Sequence, residues 1–330
     1  MRKSQSLLKI IVILGPTASG KSDLAVRVAR RFDGEVISAD SRQVYKGLDI
    51  GSGKVPRDKK NPKSYIPNSK FYFYKGIRHH LLDVASPKQV FSVSQYQKLA
   101  SKAIKDIIKR KKIPIICGGT GFYIDSLIYD YKLPEVKPDK KIRAELEKKS
   151  TEELFKQLKK LDPRRAKNID RCNRRRLIRA LEICLTTGKP TPSPADIRAN
   201  QHVYQRKLAS ILKIGVKKPP EELKKMIYKR LIKRLNIGMI KEVKNLHEKQ
   251  KISWKRLDDL GLEYRYVSRY LHGLIIKKEM IDSIQKESEK YAKRQMTWFK
   301  RDKNIIWINS NTREETRSVI KIVKKFLTEK

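Results

Sequence analysis

Residues 15–22 read Gly15-Pro16-Thr17-Ala18-Ser19-Gly20-Lys21-Ser22: a glycine, four residues, then Gly-Lys-Ser. That is the spacing of a phosphate-cradling loop. Successive backbone N–H groups at a helix N-terminus make an anion nest, the lysine reaches the terminal phosphate, and the serine hydroxyl is placed to hold Mg²⁺. An acid follows at Ser38-Ala39-Asp40-Ser41. At the carboxyl end of a parallel strand, Asp40 faces the same crevice as the loop, as a general base or a magnesium partner. A lone Asp at a strand end is equally suited to cap a helix. A third apolar run ends in Gly118-Gly119-Thr120-Gly121 with no acid after it, where a nucleotide-hydrolysing enzyme normally carries a second carboxylate for Mg²⁺. Glycines there let backbone approach a ligand closely, and Thr120 offers a hydroxyl; a plain glycine turn is the simpler alternative.

The elements that must hold these residues alternate. Strands are expected at Lys9–Leu14, Glu35–Ser38, His80–Val84 and Ile113–Cys117, with helices near Lys21–Arg31 and Ser92–Arg110. Such alternation implies right-handed βαβ units and a parallel sheet covered on both faces. The stretch Val55–Gly76, rich in Pro, Lys and Tyr, reads as a basic surface excursion. From Asp139 to about Thr187 the pattern is helical and highly charged, and Pro190, Pro192 and Pro194 mark a loop. Lys207–Val216 reads as a strand returning to the sheet, Pro219–Tyr291 as helices broken near Gly238, Gly261 and Gly273, Ile305–Ile308 as an edge strand and Glu314–Leu327 as a closing helix. The fold class expected is α/β: a P-loop nucleotide-kinase-like core with a parallel sheet, from residues 1–138 and about 203–330, plus a helical insertion over about 139–200.

The formal net charge is +44 over 330 residues. Self-repulsion of that size suits a polyanionic partner, nucleic acid first; a lysine-rich surface on ordinary helices is the compatible alternative. Cys117, Cys172 and Cys184 are too few and too scattered for a disulfide framework or a zinc site, so a reducing cytoplasm is expected. No stretch approaches membrane-spanning length, and the basic start Met1–Lys9 runs into a strand rather than a signal peptide. His79 and His80, adjacent on a strand, point to opposite faces and do not suggest a metal site. Two basic stretches stand out. Arg171–Arg179 packs five arginines beside Asn173, and Tyr291–Arg301 reads YAKRQMTWFKR. The second interleaves cations with aromatic rings, as phosphate clamping plus base stacking requires, although Trp298 and Phe299 suit a helix core equally well.

In their order along the chain these motifs resemble the bacterial tRNA dimethylallyltransferases, the delta(2)-isopentenylpyrophosphate transferase family. The resemblance is carried by GPTASGKS (Gly15–Ser22), SADSRQVYKGLDIGSGK (Ser38–Lys54), HHLLDV (His79–Val84), FSVSQY (Phe91–Tyr96), GGTGFY (Gly118–Tyr123), Asp162-Pro163, NRRRLIRALEI (Asn173–Ile183) and YAKRQMTWFKR. It implies transfer of a dimethylallyl group from its diphosphate to N6 of the adenosine 3′ to the anticodon, position 37, in tRNAs reading codons that begin with U. The P-loop then grips the donor's diphosphate, and no nucleotide need be hydrolysed. By the same resemblance Asp40 is the base, with Thr120 and Arg230 beside it as catalytic residues. Gly15 to Ser22 bind diphosphate, and Ser22 binds Mg²⁺, the expected cofactor. Asp40, Ser41, Arg42, Gln43, Thr120, Arg143, Asn173, Arg174, Arg175, Arg176, Lys293, Arg294, Gln295 and Trp298 face tRNA, with 139–200 as a tRNA-contacting insertion. A cytoplasmic monomer is expected. The sequence departs from the family at Met226, where the first of two arginines four residues apart is missing; Arg230 keeps the second place and Arg234 lies one turn on. The excursion Val55–Gly76 is also longer and more basic than the family's. A small-molecule kinase, a non-catalytic RNA-binding protein and an adenylate isopentenyltransferase remain open alternatives.

Overall fold

The apolar run before the glycine-rich loop forms strand β1 (Leu8–Leu14), buried from Ile10 onward. The structure, a computed structural model, describes residues 8–58, 71–131, 133–134, 136–190, 209–309 and 313–329. Strands β2 (Gly34–Ala39), β3 (Tyr72–Tyr74), β4 (Ile77–His80), β5 (Ile113–Gly118), β6 (Ala209–Val216) and β7 (Ile305–Ile308) join β1 in one seven-stranded sheet of order β3-β4-β2-β5-β1-β6-β7. Every pairing is parallel except β3 with β4. Because side chains alternate along a strand, β1 feeds two cores. Ile10, Val12 and Leu14 pack with helix α2 (Val93–Lys109) on one face. Ile11 and Ile13 pack with α1 (Lys21–Arg31) and with Val319 and Val323 of the last helix, Arg313–Thr328, on the other.

The register matters most at the carboxyl ends. Leu14 of β1 and Ala39 of β2 both lie opposite Gly118 of β5. The loop after β1, Asp40 after β2 and Thr120 after β5 therefore emerge side by side, at the edge where open α/β sheets bind ligands.

One expected strand is displaced. The segment His80–Val84 is not a strand: β4 starts at Ile77 and ends at His80, and Leu81 and Asp83 then take positive φ of 62° and 58°. The turn delivers the Asp83 carboxylate to the buried Lys54 ammonium at 2.5 Å, where Asp49 also arrives at 2.6 Å. The excursion Val55–Gly76 is more than a surface loop, because it supplies β3, which pairs with β4 across a Lys75-Gly76 turn with φ of 51° and 75°. Its residues 59–70, like Pro192 and Pro194 and the start of the returning strand at 207–208, lie outside the described residues. His79 is buried against the Ile77 carbonyl, and burial pulls it down to about 4; His80 Nε2 lies 2.6 Å from Glu35.

The described chain divides into two compact units, Met1–Ile128 with Ala209–Lys330, and Tyr129–Leu208. In the first, α3 (Gly121–Ile128) follows β5, and α8 (Pro220–Asn236), α9 (Met239–Glu248), α10 (Trp254–Leu260), α11 (Leu262–Leu271) and α12 (Lys277–Phe299) lie between β6 and β7. Val44, Tyr45 and Leu48 pack into these helices against Leu231, Met239, Val243 and Leu246. The second unit holds α4 (Lys140–Glu147), α5 (Thr151–Leu161), α6 (Pro163–Asn168) and α7 (Arg174–Thr187), N-capped by Asp139, Ser150, Asp162 and Asn173. No helix among the described residues is long and apolar enough to cross a membrane.

Glu182 is the polar centre of that second unit. It is fully buried and accepts from Arg143 Nε at 2.7 Å, Arg143 Nη2 at 2.8 Å, Arg179 Nη1 at 2.6 Å and the Asp139 amide at 2.8 Å. Burial pushes its carboxyl up, but the hydrogen bonds from Arg143 and Arg179 outweigh it and hold the group at about 2. A carboxyl held below its ordinary 4.5 stabilises the fold above that pH and loses the contribution as pH falls toward 2. Glu182→Gln is expected to cost ~1–3 kcal/mol at neutral pH, discounted because both arginines are partly exposed. In urea unfolding the deficit against the parent protein shrinks as pH is lowered from about 5 to about 3; a pH-independent deficit contradicts the assignment.

Candidate active site

The P-loop joins β1 to α1 across a space with no room for side chains at its start. A Cβ on Gly15 would lie 2.3 Å from the Val216 carbonyl of β6. Ala18 and Gly20 take φ of 61° and 91°, the alternation that turns successive amides inward, and Lys21 and Ser22 open α1. The Lys21 ammonium donates to the Pro16 carbonyl at 3.0 Å and forms no ion pair among the described residues. Burial draws it below the usual lysine range; Arg230 pushes the same way, while Cys117 and Asp40 oppose. Ser22 hydrogen-bonds the Cys117 thiol, which burial pushes up to about 11.

Asp40 stands across the cleft. Its Oδ1 accepts from the amides of Arg42 at 2.8 Å and Gln43 at 3.3 Å, so it caps a turn rather than a helix, since no helix among the described residues directly follows β2. Its Oδ2 has no hydrogen bond among the described residues, and the side chain lines the cleft with Thr17, Lys21 and Ser22. One carboxylate thus anchors the turn after β2 with one oxygen and leaves the other facing the cleft. Thr120 Oγ1 accepts from the Ser41 amide at 3.1 Å, while the Thr120 amide donates to Ala39, which pins the Asp40 segment to the glycine loop. Gln43 is held between the Ser38 hydroxyl and the Gly53 carbonyl, and the Arg42 guanidinium is bound to the Leu260 carbonyl.

The C-terminal helices supply the rest. Arg230 of α8 donates from Nη1 to Thr17 Oγ1 at 3.2 Å, and Arg234 donates to Glu263 of α11 at 2.5 Å. Both guanidiniums crowd Gly53, where an added Cβ would lie 1.8 Å from each Nη2. Burial, then Arg234, draws Arg230 down to about 10, so it stays protonated at neutral pH. Tyr291 of α12 lines the same cleft; burial, then the Asp40 charge, pushes its phenol up to about 12, and Thr120 hydrogen-bonds it. The arrangement can bind a polyphosphate on cations and amides with one unengaged carboxylate oxygen opposite. Ser22 would offer Mg²⁺ a hydroxyl, with the other positions left to phosphate and water, which suits that ion.

Of the other residues singled out in the sequence, Gln295 is buried with its amide on the Thr17 amide and the Gly119 carbonyl. Trp298 is not a bare stacking platform: its indole N–H donates to Asp125 at 2.9 Å and its ring meets Phe122 edge-on, packed on the core. Lys293 and Arg294 are exposed on the same helix. Arg143 is bound to Glu182 and remains partly exposed. Asn173 caps α7, Arg174 donates to the Glu147 carbonyl at 2.5 Å, and Arg175 and Arg176 are exposed. Sequence reading pointed to Arg234 as a substitute for the arginine missing at Met226, and the cleft includes it; it missed Glu263 and Tyr291 as members of the site. For Tyr291 a signal existed, since Ser288, Tyr291 and Gln295 follow the three-and-four spacing of one helix face; Glu263 carries no local signal.

These features define a P-loop α/β protein with a cationic cleft and, among the described residues lining it, one carboxylate without a cationic partner. The chain belongs to the IPP transferase family, whose pattern matches residues 43–302, and an isopentenyl transferase pattern matches 8–68. It is 39% identical to the tRNA dimethylallyltransferase of Anoxybacillus flavithermus, over 91% of this chain and 90% of that one. It is 42% identical to tRNA dimethylallyltransferase 2 of Treponema denticola, over 91% and 94%. Among solved structures it resembles the tRNA isopentenylpyrophosphate transferase of Bacillus halodurans, with a TM-score of 0.68, 32% identity and coverage of 97% and 96%. It also resembles a eukaryotic dimethylallyltransferase acting on tRNA, with a TM-score of 0.78, 26% identity and coverage of 97% and 80%.

The two arginines are not equivalent, since among the described residues only Arg230 bridges to the P-loop and only Arg234 has a carboxylate partner. Arg230→Ala is expected to weaken pyrophosphate binding by ~100-fold and Arg234→Ala by ~10-fold in titration calorimetry. The reverse order would give the anion-binding role to Arg234.

Proposed function

We propose that this chain transfers a dimethylallyl group from dimethylallyl diphosphate to N6 of adenosine 37, 3′-adjacent to the anticodon, of tRNAs that read codons beginning with U. The products are N6-dimethylallyladenosine and diphosphate. The observation that carries this reading is the pairing of an intact P-loop with Asp40 as the cleft's only carboxylate, among the described residues, that lacks a cationic partner. Glu263 is engaged by Arg234, and the end of β5 offers glycines where an NTP hydrolase keeps an acid. The family membership reported above supports the same chemistry.

The chemistry follows from the cleft. Breaking the allylic C1–O bond leaves the electron pair on diphosphate, and Lys21, Arg230 and the loop amides stabilise that charge as it develops. The adenine N6 supplies the pair for the new C–N bond and becomes acidic as it does so; Asp40 Oδ2 takes the proton. Because Oδ1 is fixed by two backbone amides, the free oxygen has one direction to point, and Thr120 holds its segment. Ser22 would hold Mg²⁺, which would supply further neutralisation of the diphosphate. A stacked base cannot reach such a cleft, so the adenosine is extruded from the loop. The charge of +44 suits tRNA as the partner, and the exposed Lys293, Arg294, Arg175 and Arg176 are the cations assigned to its phosphates. We assign the protein to the cytoplasm, as a monomer.

The test is incubation with radiolabelled dimethylallyl diphosphate and unmodified bulk tRNA, followed by nucleoside analysis. Label in N6-dimethylallyladenosine is expected; label confined to free AMP, or none in RNA, contradicts the proposal. Asp40→Ala is expected to lose ~10³-fold in transfer rate while tRNA affinity stays within about threefold. Near-normal turnover removes Asp40 from the mechanism.

A further inference from the structure

Thr17 is the third residue of the P-loop, and both of its polar groups are taken by helices far along the chain. Its amide donates to Gln295 Oε1 at 2.9 Å, and its hydroxyl accepts from Arg230 Nη1 at 3.2 Å. The other end of the Gln295 amide donates to the Gly119 carbonyl at 2.8 Å, in the loop that carries Thr120. The two contacts fix the orientation of the amide, because a flipped group would set its NH₂ against the Thr17 N–H and its oxygen against a carbonyl. Gln295 is 5% exposed, so neither end is available to a large solvent-borne partner. Withdrawing the Thr17 amide also limits the nest: Ser19 N is spent on the Pro16 carbonyl at 3.3 Å, which leaves the amides of Ala18, Lys21 and Ser22 without partners among the described residues.

We infer that Gln295 is a positioning residue for the diphosphate and not a tRNA contact. From α12 it clamps the P-loop to the Thr120 loop, and with Arg230 it holds Thr17 so that the remaining amides converge on the leaving group. This rests on the donor reading above and deepens it, because it assigns to the donor side a residue that the basic, aromatic stretch around it suggested for RNA.

The experiment uses the full-length protein, magnesium pyrophosphate as the anion probe and unmodified tRNA. Gln295→Leu removes both hydrogen bonds at similar volume. The pyrophosphate Kd and the KM for dimethylallyl diphosphate are expected to rise about tenfold or more, with tRNA Kd within about twofold of the parent. Gln295→Glu is nearly isosteric and guards against a variant that fails to fold. It keeps an acceptor for Thr17, loses the donor to Gly119 and adds a charge beside the anion. Its pyrophosphate affinity relative to the parent is expected to fall at neutral pH and recover as the new carboxyl protonates, a response that loss of packing alone does not give. A tRNA defect with unchanged pyrophosphate binding overturns the inference, and so do variants whose pyrophosphate binding matches the parent at every pH. If the parent itself binds no pyrophosphate, the donor reading falls and this inference with it, which separates the two failures.

Discussion

Two cations stand in one cleft with no carboxylate paired to either among the described residues, and the site is organised around that constraint. Lys21 and Arg230 both have their ionisation drawn down by burial, and Arg230 adds to the effect on Lys21. Desolvated positive charge of this kind is costly and is relieved by an anion. Asp40 offsets the cluster only partly, because one of its oxygens is committed to backbone amides. That commitment leaves the other oxygen facing the cleft, where the proposed reaction needs a proton acceptor.

The cluster is assembled from both ends of the chain. The P-loop, the Asp40 turn and the glycine loop come from consecutive βα units, and their adjacency follows from the order β2-β5-β1 in the sheet. Arg230, Arg234, Glu263, Tyr291 and Gln295 come from helices more than 200 residues later than the P-loop. Residues 44–54 link the two sets. Glu242 of α9 accepts from the amides of Asp49, Ile50 and Gly51 and from the Tyr264 hydroxyl, while buried Lys54 draws in Asp49 and Asp83. The long motif after β2 is therefore largely a structural connection, and it brings Gly53 against the two guanidiniums.

The parts of this site that are local in sequence were legible before the fold. The P-loop follows from its own spacing, and Asp40 from its place after a buried strand. What was not legible depends on distant partners. His80–Val84 has the composition of a strand, but the Lys54–Asp83 ion pair turns it at Leu81. Arg143 lies in a basic helix that suggests RNA, yet a buried glutamate 39 residues on claims its guanidinium. Trp298 and Gln295 belong to a stretch whose cations and rings suit nucleic acid, and only the packing of α12 shows that they face the P-loop side of the protein while Lys293 and Arg294 face solvent. Arg234 differs from Arg230 through Glu263, a partner that no spacing rule names.

The most direct measurement of the central claim is titration calorimetry of the unmodified protein, with Mg²⁺, against a thio analogue of dimethylallyl diphosphate and separately against ATP. A cluster shaped for a two-phosphate leaving group is expected to bind the analogue ~100-fold or more tightly than ATP, a difference of ~2.7 kcal/mol. Equal affinity for the two, with ATP turned over during the titration, would contradict it.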